Sequence, residues 1–309
     1  MSGIFGIFKR PAIQPVAQVP KRVCKVGAFL GDGVPTSGQM HDFQKMTGKY
    51  PSIVMWYHAF VTGFEFPKEA CDIVSKFGGL PFIKLEPWSW KGITDNSFSL
   101  ARIAEGEFDS GLCDFAAGAR NWGKEVAIAF GHEMNIPDIY PWGGDHDAFT
   151  RAWGHIHLLF DDMEATKVKW VFNPNHYPPT SIREYYPGSR LVDIFAIDGF
   201  NWGNTQEWSH WASFSEIFGE AYKEVTDLSN KPVWIGEMAC AEQGGSKPGW
   251  IKESLAQIKA GYPRLEAFTW FDLKKETDWR INSTKASAQA FRRAISDPCF
   301  IGGKMSLLE

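Results

Sequence analysis

Residues 125–135 read Glu-Val-Ala-Ile-Ala-Phe-Gly-His-Glu-Met-Asn, an apolar run of strand length that stops at a glycine and delivers a His-Glu pair. Residues 232–237, Pro-Val-Trp-Ile-Gly-Glu, end in the same way, with an acid closing an apolar strand. Comparable β-rich runs fall at Val23–Leu30, Ser52–Tyr57, Pro81–Leu85, Val168–Phe172, Val192–Ile197 and Leu265–Phe271, and with Glu125–Gly131 and Pro232–Glu237 they make eight. Between them lie helical patterns near 38–48, 67–78, 98–121, 146–166, 207–229, 249–260 and 284–295, with the least regular link at 180–187. Strands alternating with helices are the signature of a parallel sheet, and eight such units predict an α/β protein closed into a (β/α)8 TIM barrel.

The barrel is predicted to be a single domain over residues 21–298. Residues 11–20 (PAIQPVAQVP) lack helix or strand periodicity, so 1–20 read as an N-terminal arm or linker and 299–309 as a C-terminal tail. Alternation along a strand places Ala127, Ala129 and Gly131 on the face that Glu133 shares, with Ile128 and Phe130 facing the outer helices. The same count puts Ile235 inward with Glu237 and turns Trp234 outward, as a structural residue.

Composition narrows the partners. A net charge of −4 with mixed signs leaves no basic stripe to neutralise phosphates, so no nucleic acid is expected. Fourteen Trp in 309 residues suit the apolar faces of sugar rings as well as they suit a core. The five cysteines are scattered without the close pairs of a zinc site or disulfide framework, so no metal is expected and buried thiols are. No run reaches the roughly 18 apolar residues of a membrane helix, and Met1–Arg10 lacks the pattern of a secretory signal. No cofactor loop appears either, and a monomer is expected.

In a parallel barrel the chemistry lies at the carboxyl ends of the strands. The polar residues there are Asp32, His58, Glu86, His132 with Glu133 and Asn135, Asn173 with Asn175, Asp198 with Asn201, Glu237, and Trp270 with Asp272. Burying a lone carboxylate costs several kcal/mol unless it is paired or used. Strands four and seven face each other across an eight-stranded barrel, so Glu133 and Glu237 can converge over its mouth as the carboxyl pair that glycoside hydrolysis requires. Glu125 opens its strand at the far rim, and Glu86, before Pro87-Trp88, suits acceptance of a substrate hydroxyl. A metalloprotease helix would need a second His at position 136, which is Ile. The Gly-x-Ser-x-Gly elbow of serine hydrolases is absent. His155 and His157 diverge on their helix, and Asp145 or Asp147 caps its start.

The phrases Gly131-His132-Glu133-Met134-Asn135, Tyr140-Pro141-Trp142-Gly143-Gly144, Asp198-Gly199-Phe200-Asn201-Trp202-Gly203 and Gly236-Glu237 together resemble glycoside hydrolase family 26. Leu85-Glu86-Pro87-Trp88 and Asp278-Trp279-Arg280-Ile281 are similar to that family's motifs too, and the likeness spans roughly residues 23–298. It implies retaining chemistry, with Glu133 as acid/base and Glu237 as nucleophile. It places His132 beside the acid and makes Trp142 and Trp270 platforms beneath sugar rings, core packing being their plain alternative. Further substrate contacts are expected from Asn135, Glu86, Trp88, Phe200, Asn201, Trp202, Trp56 and His58.

The family usually has Tyr where this chain has Phe200, a hydroxyl that hydrogen-bonds the nucleophile; losing such a bond costs about 1–3 kcal/mol of transition-state stabilisation unless another donor substitutes. Ile136-Pro137-Asp138-Ile139 stands where the family often carries a Trp. The Glu-Pro-Trp and Tyr-Pro-Trp-Gly-Gly phrases look more like the family's mixed-linkage β-1,3-1,4-glucanases than its β-1,4-mannanases or β-1,3-xylanases. The expected substrate is therefore a plant-type polysaccharide, first a mixed-linkage glucan, then a mannan, and action on a polymer implies a place outside the cell. A barrel that binds carbohydrate without cleaving it is the rival from another class.

Overall fold

Each apolar run forms a strand: β1 (Cys24–Phe29), β2 (Ile53–Ala59), β3 (Leu80–Glu86), β4 (Val126–Phe130), β5 (Val168–Phe172), β6 (Ile194–Asn201), β7 (Val233–Cys240) and β8 (Leu265–Phe271). The computed structural model describes residues 22–31, 33–178 and 181–305, so the arm read over 1–20 lies outside the described residues. All eight strands pair in parallel in sequence order, and pairing of β8 with β1 and of β1 with β2 closes the ring. The chain is a (β/α)8 barrel, the architecture expected from the eight runs.

Helices α1 (Ser37–Thr47), α2 (Lys68–Lys76), α3 (Leu100–Ala104), α4 (Asp109–Trp122), α5 (His146–Asp162), α6 (Ile182–Tyr185), α7 (Phe214–Leu228), α8 (Lys247–Gly261) and α9 (Lys285–Ile295) wrap the ring. Their starts are chemically marked: Thr36 with Gln39 and Ser213 with Glu216 form capping boxes, and the Asp145 side chain accepts from the Ala148 amide. The single helix expected over 98–121 is two, because the chain breaks between Ala104 and Asp109, where Gly106 takes φ 85°. The helix expected from 207 starts at Phe214, which leaves 202–213 as a loop at the carboxyl end of β6. The segment read as a tail from 299 opens with β9 (Phe300–Ile301), paired with β1.

Strand registers fix what points inward. Tyr57, Lys84 and Ala129 stand side by side on β2, β3 and β4, one residue pair above Met55, Phe82 and Ala127. Phe130 stacks on Phe149 of α5, so the small-inside, large-outside reading of β4 holds. The reading of β7 does not. Ile197 pairs with Ile235 but Asp198 pairs with Glu237, so Gly236 is an extra residue, a bulge. Ile235 faces outward, and Trp234 meets Phe82 edge-on at 5.7 Å across the barrel floor. Only glycine fits at 236, since a Cβ there would lie 2.4 Å from Asp198 Oδ1.

Candidate active site

The carboxyl ends of β2, β3, β4, β5, β6 and β7 converge on one buried cluster. Glu237 is 4% exposed, and its Oε1 accepts a hydrogen bond from the Tyr57 hydroxyl at 2.6 Å. The same Oε1 accepts from Lys84 Nζ, which also donates to Asp198 Oδ2 at 2.6 Å. No hydrogen bond to Glu237 Oε2 is present among the described residues, so one carboxylate oxygen is held and the other is free to act. Lys84 and Asp198 are fully buried. Burial works against the Lys84 charge, but Asp198, Glu237 and Glu133 outweigh it and lift its pKa to about 12. Burial likewise pushes Asp198 up, Lys84 opposing and Glu237 adding.

Glu133 lies just past β4, where the chain turns at Gly131 (φ 55°) and again at Glu133 itself (φ 54°). A left-handed glutamate costs of order 1–3 kcal/mol and persists only where its surroundings hold it. Here the Glu133 amide donates to the Asn173 carbonyl at 2.7 Å, and Oε1 accepts from Asn175 Nδ2 at 2.6 Å. Burial and the Glu237 charge raise the Glu133 pKa, against Lys84 and the donors Asn175 and Tyr140. Its carboxyl is therefore biased toward the protonated form.

Beside the buried Lys84 cation, burial shifts His132 and Glu86 toward their neutral forms. Burial, with Lys84 and Lys275, holds His132 well below its ordinary pKa, and its Nε2 lies 3.3 Å from the Tyr140 hydroxyl. Glu86 has one oxygen 3.9 Å from His132 Nδ1, and burial pushes its pKa up to about 8, with Glu237 and Glu133 adding and Lys84 and Lys275 opposing. Glu86 and Tyr57 open onto a groove of about 1020 Å³, lined also by Phe29, Trp88, Trp90, Tyr140 and Lys275. Among the described residues no three His, Cys, Asp or Glu are grouped to hold a metal ion.

Several expected contacts lie elsewhere. Trp56 and His58 flank inward-facing Tyr57 and so turn toward the helix layer; Trp56 is buried there, whereas His58 meets Phe115 of α4 and the Gly63 carbonyl and still lines the groove beside Tyr57. Trp270 is fully buried behind β8, its indole N–H bonded to the Trp279 carbonyl at 2.9 Å, and is no platform. Trp142 is 1% exposed; its N–H donates to the His132 carbonyl at 2.7 Å and its ring stacks on Tyr140 at 4.6 Å. It supports the site from beneath. Asn135 spends its side chain on the β5 loop, donating to the Asn175 carbonyl and accepting from the Asn175 amide. Asn201 accepts from the Gly203 and Ala212 amides and shapes the β6 loop. Phe200 is half-buried against Phe271 and Trp279, and Trp202 packs edge-on to Trp208 at 5.3 Å. The missing hydroxyl at 200 has a counterpart in Tyr57, which reaches the same acid from β2.

Sequence reasoning did not single out Tyr57, Lys84 or Tyr140, and it left Asn175 and Asp198 as unassigned strand-end residues. Lys84 carried a signal: it is the one charged residue inside the apolar run Pro81–Leu85.

No protein-family model matches the chain. It is 36% identical over 282 residues to Endoglucanase H of Acetivibrio thermocellus, an alignment that covers 88% of this chain and 30% of that protein. The chain thus spans less than a third of its relative's length. Among solved structures, a GH26 β-mannanase from Bacteroides ovatus superposes with a TM-score of 0.69 over 92% of this chain and 91% of that one, at 15% identity. Mannanase man26 of Bacillus subtilis gives 0.67 over 94% and 90%, at 21% identity. At such identities these structures speak to the fold.

Proposed function

The chain belongs to glycoside hydrolase family 26, and from that premise we propose that it is a retaining, endo-acting β-glycanase in which Glu133 is the acid/base and Glu237 the nucleophile. The observation that carries the roles is the asymmetry of the two acids. Glu237 receives an ammonium and a phenol on one oxygen, whereas Glu133 is buried beside a negative charge and biased toward carrying a proton.

Glu237 Oε2 attacks the anomeric carbon while Glu133 protonates the glycosidic oxygen, which leaves as a sugar hydroxyl. The Glu133 carboxylate then takes a proton from water, whose oxygen displaces Glu237 and regenerates the free acid pair. Tyr57 supplies the hydrogen bond that the family's Tyr supplies from the position of Phe200. Tyr57→Phe is expected to lower kcat by roughly 10-fold, the scale of one lost charge-assisted bond, with KM little changed. Steady-state kinetics on a soluble β-glucan check this, and an unchanged kcat would show that the phenol is only packing.

A glucan is the substrate favoured, because the relative at 36% identity is named Endoglucanase H, and the Glu86-Pro87-Trp88 and Tyr140-Pro141-Trp142-Gly143-Gly144 phrases favour a mixed-linkage β-1,3-1,4-glucan among glucans. A β-1,4-mannan is the second reading, favoured by the mannanases among the structural neighbours; a β-1,3-xylan comes after. Product sizes from lichenan, barley β-glucan, galactomannan, linear mannan, β-1,3-xylan and carboxymethylcellulose separate these, and no release from any of them would favour the non-cleaving carbohydrate-binding barrel. Such polymers place the action outside the cell. No helix among the described residues is long and apolar enough to cross a membrane.

With Trp142 and Trp270 buried, the exposed ring on the groove is Trp90, 61% exposed and held at φ 62°. A flat ring on a groove wall suits the apolar face of a pyranose. Trp90→Ala is expected to raise KM about 3–10-fold on polymer while leaving kcat within roughly 2-fold, the pattern of lost ground-state binding. Equal kinetics in the variant would remove Trp90 from the substrate path.

A further inference from the structure

Resting on Glu237 as nucleophile, we propose that Lys84 is a positioning residue: its ammonium fixes Glu237 Oε1, aims Oε2 at the substrate, and makes the acid a better leaving group in the second step. The geometry carries this. Lys84 is fully buried in the carboxyl half of β3, and its Nζ bridges Asp198 Oδ2 and Glu237 Oε1. Taking an ammonium out of water costs several kcal/mol unless it is paired, and Asp198 alone would pair it. The second carboxylate it touches is the one at the reacting centre, on the oxygen that Tyr57 also holds.

Two donors on Oε1 pin the carboxylate plane and draw electron density from it. A glycosyl ester formed through Oε2 would keep Lys84 against its carbonyl oxygen, so the acid's departure in hydrolysis places negative charge beside a fixed cation. Asp198 holds that cation from the other side. Its own Oδ1 lies under Gly236, where the bulge leaves room for it, and Asn173 is a further hydrogen-bonding neighbour of the carboxylate.

The test is Lys84→Met beside the double variant Lys84→Met/Asp198→Asn, which removes the carboxylate that the single change leaves buried without its cation. Both are expected to lose roughly 10²-fold in kcat with KM within about 3-fold of wild type. The acid limb of the pH profile is expected to move to higher pH, and the glycosyl-enzyme to accumulate in intact-mass spectra at steady state. A residue that only supports the fold would lower stability in the single variant, recover in the double, and move neither the limb nor the intermediate.

A second readout needs no turnover. In protein carrying ¹³C-labelled glutamate carboxyls, the Glu237 resonance at neutral pH is expected to differ between the double variant and Asp198→Asn alone, because only the latter keeps the ammonium on Oε1. An identical resonance in the two overturns the positioning role whether or not the protein cleaves sugar. Wild type that releases no sugar from any polymer overturns the hydrolase reading instead.

Discussion

Glu237→Ala is expected to lower sugar release by at least roughly 10⁴-fold, because the covalent route loses its attacking atom and nothing else at the site can replace it. The fold should survive. Lys84 stays paired with Asp198 when Glu237 is shortened, so the change removes one of two carboxylates that share a single buried cation. Thermal melting within a few degrees of wild type, with reducing-sugar release near background, is the expected pair of results. Release at the wild-type rate would remove Glu237 from the chemistry.

Glu133→Ala is expected to show a different signature, because its two tasks depend on what leaves and what attacks. On polymer the loss should reach about 10²–10⁴-fold, the usual worth of a positioned general acid. An aryl glycoside with an acidic phenol needs no proton to depart, so its first step should run near the normal rate and the glycosyl-enzyme should build up as a burst. Azide needs no base and should restore turnover. The pH profile gives an independent check. The Glu133 pKa is raised, so wild-type kcat/KM is at its full value while the group is protonated and falls as pH rises through that pKa. The variant should lack this alkaline limb. Equal losses on polymer and aryl glycoside, with the limb retained, would assign the acid to another residue, of which Glu86 is the nearest by chemistry.

The strand ends were legible because an acid after an apolar run has few structural excuses: Glu133 lies just past β4 as that argument puts it, whereas Glu237 sits inside β7, which runs on to Cys240. The tryptophans were not. An indole can satisfy its N–H on a backbone carbonyl and disappear into the core, as Trp142 does on His132 and Trp270 on Trp279; composition cannot distinguish this from a ring waiting for a sugar. Parity failed for a related reason. Both faces of a barrel strand are apolar, so in Ile53–Ala59 nothing in the sequence says whether Trp56 and His58 or Tyr57 face the centre. Register against β3 decides it, by placing Tyr57 beside Lys84. Hydrogen bonds such as Asn175 to Glu133 join segments about 40 positions apart and have no local trace.

The bulge at Gly236 lets a single strand do two jobs that simple alternation would make incompatible. Trp234 and Glu237 are three residues apart, so in a regular strand a tryptophan plugging the floor would turn the glutamate toward the helices. The inserted glycine resets the count between them, and the closed base and the reactive rim of the barrel are thereby written into six consecutive letters of sequence, 232–237.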